Sequence, residues 1–367
     1  MSWQGLRPLF VRIVPPASFN AGKKAFDDVN TTLEQAGFRA ITLDLSVSKI
    51  GRLLRAPFIL LRIMSALAKR TNLVVLQYPL PMEVRGFAET MIRARRAKVV
   101  MLLHDVDTMR YSGRTHRTDA ELAFFAQADA VICHNAAMKQ WLQERGLETP
   151  CVALGLFDYL VAPGLQAASS TADRSLDWRR TIVFAGSLSR TKSGFIYRLP
   201  DDYAVNIRVF GMEPPGGANF SPGISYSGRF PPDSPVLPRG LFGLVWDGAD
   251  AGSCSGTSGE YLKINSPHKA SLYLACGLPL ICWRESALAA EVAALQVGIA
   301  IDSLHDLPEV LQNLPLSTYE AMCERAAEVG SRLRAGAMLQ AALRKATETF
   351  AAELPAAAAL GIEGDNA

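Results

Sequence analysis

The chain has 367 residues, 49% of them hydrophobic and 20% charged, which is more apolar material than one core organises and reads as two globular domains rather than a disordered or fibrous chain. Its six cysteines (Cys133, Cys151, Cys254, Cys276, Cys282, Cys323) form no CxxC pair and no Cys/His ligand spacing, which argues against a structural zinc site and for free thiols in a reducing cytoplasm. The net charge of +3 is unevenly shared: residues 1–150 carry 21 Lys and Arg against 13 Asp and Glu and residues 151–367 carry 17 against 22, so an anionic surface or acceptor is expected to face the first half.

In chain order, the first half alternates strand and helix signals. Leu9–Val14 reads as a strand, 15–22 as a loop, 23–36 as a helix stopped at Gly37, and Ala40–Leu45 as a second strand. Residues 50–70 form a basic amphipathic helix with Arg52, Arg55, Arg62, Lys69 and Arg70 beside Phe58, Ile59, Leu60 and Ile63. It could lie on an anionic membrane surface or pack on the sheet with its basic edge solvated. Leu73–Gln77 is a continuous apolar strand, 86–96 a helix, and Lys98–Leu103 a buried strand ending in His104-Asp105-Val106-Asp107. Helix 117–127, strand Ala130–Cys133 and helix 135–145 complete the series. Strands alternating with helices imply a parallel sheet with right-handed crossovers.

Residues 155–180 lapse into Gly, Pro, Ser and Asp and read as an interdomain linker. Strands follow at Thr181–Ala185, Ile207–Phe210, 224–227 and Leu241–Val245, then a mobile Gly/Ser loop over 249–260. Strand 280–283, helix 287–295, strand 298–301 and a largely helical stretch 317–352 lead to an Ala-rich tail from Pro355. The predicted domains are 1–160 and 161–335, with 336–367 as a C-terminal helix and tail. No run is long enough to span a membrane; the nearest, 56–68, is interrupted by Arg62. The N-terminus lacks the layout of a signal peptide, so the chain is expected in the cytoplasm.

The most informative stretch is Tyr261 to Ile281. Lys263 and Asn265 lie on a loop, Ser266-Pro267 reads as N-cap and first helical position, and a helix with apolar positions Ala270, Leu272, Leu274 and Ala275 stops at Gly277, where a left-handed residue is needed. The helix start favours an anion, and His268 and Lys269, with Ser271 one turn in, add donors there. A plain capped helix would look much the same. A diphosphate leaving group needs fixed donors for its developing charge, and Arg190, Lys192, Lys263, His268 and Lys269 suit that work, with backbone amides from Gly186 and Ser187 onward. Asp105-Val106-Asp107 formally matches a metal motif, but it lies outside the half that carries these donors. His104 and Asp105 end a buried strand where side chains emerge. Asp105 is the first candidate for a base, and a carboxylate capping the following turn is the alternative.

Four segments carry a family resemblance: Ala-Gly-Lys-Lys-Ala-Phe-Asp-Asp from Ala21, Leu-His-Asp-Val-Asp-Thr-Met-Arg-Tyr at 103–111, Ala-Gly-Ser-Leu-Ser-Arg-Thr-Lys at 185–192, and Tyr-Leu-Lys-Ile-Asn-Ser-Pro-His-Lys-Ala-Ser-Leu-Tyr-Leu-Ala-Cys-Gly-Leu-Pro from Tyr261. With them the chain resembles a bacterial family of GT-B glycosyltransferases that includes galactofuranosyltransferases and a glucosyltransferase of adhesin glycosylation. The resemblance implies two Rossmann-like, doubly wound parallel-sheet domains facing a cleft, a UDP-sugar on the second and a saccharide or lipid-linked acceptor on the first. It implies a metal-independent hexosyltransferase of surface polysaccharide or glycan assembly, moving galactofuranose or glucose, with the UDP-sugar as donor substrate and no cofactor. It also places Glu285 where a carboxylate holds the ribose, although a helix-terminal Glu explains that residue equally well. A nucleotide-sugar epimerase or hydrolase, or a non-catalytic nucleotide-sugar-binding subunit, is the alternative. Nucleic acid is not an expected partner, because basic residues are not interleaved with exposed aromatics. The sugar, the linkage, peripheral membrane contact and homo-oligomerisation stay open.

Overall fold

The computed structural model describes residues 6–14, 21–44, 51, 58, 61, 71–80, 97–110, 118–162, 177–212, 217, 219–238 and 241–353. They fall into two compact units. The first takes Met1–His134, Met138–Leu154 and Leu339–Ala367; the second takes Asn135–Ala137 and Gly155–Met338.

In the first unit, β1 (Pro8–Val14), α1 (Ala21–Gln35), β2 (Arg39–Asp44), β3 (Leu73–Tyr78), β4 (Lys98–Leu103), α2 (Asp107–Arg110), α3 (Thr118–Phe125), β5 (Ala130–Cys133), α4 (Ala136–Glu144) and β6 (Cys151–Ala153) follow in order. The strands pair in parallel in the order β2-β1-β3-β4-β5-β6, so the direction of winding switches between β1 and β3. β3 is buried along its whole length, which is why it reads as an unbroken apolar run and not as an alternating one. β6 and α2 were not expected: three and four residues are too few to show a period.

In the second unit, β7 (Thr181–Ala185), β8 (Asn206–Phe210), β9 (Ile224–Tyr226), β10 (Phe242–Val245), α5 (Gly256–Leu262), α6 (His268–Ala275), β11 (Leu280–Trp283), α7 (Ala287–Leu295), β12 (Gly298–Ile301), α8 (Leu307–Asn313) and α9 (Leu316–Arg334) follow. All strands are parallel, in the order β12-β11-β10-β7-β8-β9. Counted from β7 this is the 3-2-1-4-5-6 order of dinucleotide-binding sheets, and ligands of such sheets bind outside the carboxyl ends at the switch, here between β7 and β10.

Three local expectations need correction. The loop 249–260 ends in a helix, since α5 begins at Gly256. The helix after Pro267 has Pro267 itself as N-cap, and the Ser266 hydroxyl, instead of capping it, accepts a hydrogen bond from Asn135 Nδ2 at 3.0 Å. The stretch 317–352 is two helices, α9 and α10 (Ala337–Glu348), divided at Ala335-Gly336 where Gly336 has φ 70°. α10, from Leu339 onward, belongs to the first unit and not to a separate tail. At the other end of α6 the expected stop is present: Gly277 has φ 76°, its N–H donates to Leu274 O at 2.8 Å, and Leu278 N–H donates to Tyr273 O at 2.9 Å, the paired bonds of a Schellman cap.

Of the basic segment 50–70, only Gly51, Phe58 and Leu61 are described; all three are helical, and Phe58 and Leu61 are exposed. Its arginines and lysines, the helix at 86–96 and the tail from Pro355 lie outside the described residues.

Candidate functional site

The second unit opens its sheet at the switch by a specific device. β7 and β10 pair only through Ile182–Phe242 and Val183–Gly243. Beyond that register the buried Tyr273 of α6 enters between them: its hydroxyl accepts the Ala185 N–H at 2.7 Å and donates to Leu244 O at 3.1 Å. Two strand groups that would be orphaned by the parting strands are thereby satisfied. The ring lies where a Cβ on residue 243 would be, so only glycine fits there.

Past this point β10 runs into Trp246-Asp247-Gly248. Asp247 is buried and holds two ammonium groups: Lys269 Nζ at 2.5 Å from Oδ1 and Lys192 Nζ at 3.9 Å from Oδ2. Lys269 also donates to Trp246 O at 3.0 Å and lies 4.7 Å from the Phe184 ring centre. Burial pushes its ammonium below the usual lysine range, opposed by the Asp247 charge. Lys192 is 43% exposed and stands on a loop folded against β10: Gly248 N–H donates to Lys192 O at 2.7 Å, and Ser193 Oγ donates to Ser187 O at 2.7 Å. A half-exposed cation is therefore fixed at the carboxyl edge of the sheet, with a buried ion pair behind it.

The other expected residues of this unit are distributed as follows. Gly186 does not offer its amide to a ligand, because the N–H donates to Phe210 O at 2.9 Å. Ser187 is exposed and donates through Oγ to Ser189 Oγ at 3.2 Å. Arg190 stacks over the Tyr197 ring at 4.2 Å. Lys263 is shared between Glu260 at 3.1 Å and the exposed Glu285 at 3.6 Å; the Glu260 hydrogen bond is the main reason its ammonium titrates above the usual range. Asn265 carries a buried Oδ1 with no hydrogen-bond donor among the described residues. His268, at the start of α6, packs against the rings of Tyr159 (5.0 Å) and Phe157 (6.1 Å). Ser271 is buried within α6 and does not add a donor at its start. Lys269 likewise differs from expectation: it is bound inward to Asp247 and is not a solvent-facing cation of the helix N-terminus.

In the first unit, the expectation that His104 emerges from the end of β4 is corrected, since it is buried, stacked on Phe26 with centroids 3.9 Å apart, and bonded through Nε2 to Gln77 Oε1 at 2.9 Å. Asp105 is ion-paired with Arg110 of the turn that follows it. That turn, α2, is capped from elsewhere. Buried Glu121 of α3 accepts the Asp107 N–H at 3.0 Å, the Thr108 N–H at 3.1 Å and the Tyr78 hydroxyl at 2.6 Å. Among the described residues no three His, Cys, Asp or Glu side chains cluster as metal ligands would. The sequence Trp246-Asp247-Gly248 closes a strand and suggests a border of the base or sugar, and Asp247 is there, but as the partner of two lysines; Tyr273 and Glu121 were not among the expected site residues.

Comparison with known proteins gives three kinds of match. Residues 10–156 match the N-terminal domain and residues 182–346 the C-terminal domain of the glucosyltransferase 3-like proteins. The chain is 32% identical over 256 residues to the beta-1,6-galactofuranosyltransferase WbbI of Escherichia coli (strain K12), covering 69% of this chain and 72% of that protein. It is 25% identical over 248 residues to glucosyltransferase 3 of Streptococcus gordonii, covering 67% and 69%. In structure it resembles Anabaena Alr3699/HepE, solved in complex with UDP, with a TM-score of 0.58 at 13% identity over 95% of this chain and all of the other. At that identity the likeness concerns the fold alone.

Proposed function

The chain belongs to the glucosyltransferase 3-like family, and from that premise we propose that it moves a hexose from a UDP-sugar on its second unit to a saccharide or lipid-linked glycan acceptor on its first. It is a glycosyltransferase of the GT-B fold. The observation that carries the donor assignment is the carboxyl edge at the β7/β10 switch, where Lys192 stands beside Asp247. As the sugar leaves, charge builds on the UDP diphosphate. A cation whose loop is anchored beside a buried ion pair stabilises that charge with little reorganisation, and the positive end of α6 works in the same sense. Arg190, Lys263 and His268 are further contacts in this reading, with Glu285 toward the ribose. Charge compensation by these groups makes no demand on a metal ion. Asp105, with His104 beside it, is assigned to the acceptor hydroxyl.

The test is UDP release from a panel of UDP-sugars, with and without saccharide acceptors. Acceptor-dependent release is expected from one or a few donors. Lys192→Ala is expected to lower kcat/KM for the donor about tenfold, which corresponds to roughly 1.4 kcal/mol of lost transition-state stabilisation. Release that ignores every acceptor, or no release from any donor, overturns the proposal.

Among the described residues no helix is long and apolar enough to cross a membrane. The proposal keeps the protein in the cytoplasm and brings the Arg- and Lys-rich segment 50–70 to an anionic membrane surface, where a lipid-linked acceptor would be found. Co-sedimentation with vesicles containing anionic lipid is expected at low salt and is expected to weaken by about 0.5 M salt, where the screening length falls to about 4 Å. Equal binding to neutral vesicles would argue against it.

A further inference from the structure

The interior of the first unit holds a chain of polar side chains beside its winding switch. Gln77 on β3, Asn30 on α1 and His104 after β4 are all buried, with relative exposures of 0%, 5% and 7%. Apolar residues would fill that volume at lower desolvation cost, so the chain persists only if its groups satisfy one another. They do so with a definite direction. Gln77 Nε2 donates to Asn30 Oδ1 at 2.9 Å, which turns Gln77 Oε1 toward His104 Nε2, also at 2.9 Å. An amide oxygen only accepts, so the imidazole supplies the proton of that bond.

The rest of His104 is held as tightly. Phe26 lies parallel to its ring, with 24° between planes. Its N–H donates to Tyr78 O at 2.8 Å, and its carbonyl accepts from His134 Nε2 at 3.0 Å. Burial holds the His134 imidazole down to about 4, so it is neutral near pH 7 and donates to that carbonyl as the Nε2–H tautomer.

We infer that Gln77 and Asn30 are positioning residues that fix His104 as the Nε2–H tautomer and make Nδ1 its proton-accepting nitrogen. The inference rests on the acceptor-side reading of His104 for its use in transfer, but not for the tautomer itself. A residue bonded to one ring nitrogen is the usual means of choosing the tautomer, and because Nδ1 is itself buried, its use as a base in the transfer requires the acceptor or a water to reach it there.

Imidazole 1H–15N NMR at neutral pH tests the tautomer directly. The wild type is expected to show an exchange-protected His104 Nε2–H signal, retained in Gln77→Glu, which keeps an acceptor, and lost in Gln77→Leu. In the transfer assay Gln77→Leu is expected to lower kcat about 10- to 100-fold with donor KM unchanged, and Gln77→Glu to recover most of it. A His104 proton found on Nδ1 in the wild type overturns the inference, and this reading stands even if Gln77→Leu fails to fold. A Gln77→Leu enzyme that loses the protected proton and keeps its kcat removes the positioning role while leaving the glycosyltransferase reading intact. If no donor is turned over by the wild type, the functional reading falls and the NMR result still decides the tautomer.

Discussion

Lys269→Ala is expected to destabilise the protein by about 3–5 kcal/mol, the cost of leaving a buried carboxylate without its partner. The physical situation is asymmetric. Asp247 is 7% exposed at its side chain and bonds Lys269, itself 10% exposed, at 2.5 Å. Lys192, on the other oxygen at 3.9 Å, is 43% exposed and too distant and too solvated to take over. Lys192→Ala should therefore change stability by no more than about 0.5 kcal/mol while lowering kcat/KM for the donor. Removing both members of the buried pair, as in Lys269→Met with Asp247→Leu, should recover a large part of the loss, because neither charge is then stranded. Urea unfolding of the four proteins measures this. A Lys269→Ala midpoint equal to that of the wild type would mean that Asp247 is not buried as described. Loss of turnover in Lys269→Ala is by itself no evidence that the lysine touches phosphate, since the strand end to which we assign the donor site would be disturbed first.

Gly243→Ala is the second large effect. The added methyl would overlap the Cβ and ring of Tyr273, whose side chain is fully buried and cannot swing aside without surrendering its bonds to Ala185 and Leu244. The expected cost is roughly 3 kcal/mol, the upper end for overpacking in a core that cannot yield. Tyr273→Phe keeps the packing and removes only the hydroxyl. It strands the Ala185 N–H and should cost about 1–3 kcal/mol. Both are read from denaturant midpoints, and Gly243→Ala within about 0.5 kcal/mol of the wild type would show that β7 and β10 are not parted by this residue.

The central strands of both sheets, such as β3, β5, β10 and β11, were legible because each is buried along its whole length and so appears as a short apolar run between turn residues. Ala130–Cys133 and Thr181–Ala185 were read with the bounds observed. The stop at Gly277 was legible for a different reason: a left-handed C-terminal residue is a requirement of a few consecutive residues. The start was read one residue early, because Ser266 is drawn to Asn135 and leaves Pro267 as the cap. Short pieces such as β6 and α2 were missed because they contain too little chain to repeat anything. The 249–260 segment was misread because its glycines and serines suggest a loop, while Tyr261 and Leu262, buried at its end, supply the packing that makes α5 worthwhile.

The linear order of residues by itself determined that this chain builds two parallel α/β units and places donors and cations after the strands of the second, because burial periodicity and capping are local properties. Which of those charged groups faces solvent was decided only by the tertiary structure. Lys269 and Asp247 are 22 positions apart, Gln77 and His104 27, and Tyr273 and Ala185 88. Gln77 meets His104 because β3 and β4 pair side by side, Lys269 meets Asp247 because α6 packs back over the end of β10, and Tyr273 reaches Ala185 because β7 and β10 are neighbours in the sheet; the partner a buried charge finds there, not its position beside a motif, sets whether it binds a ligand or holds the fold.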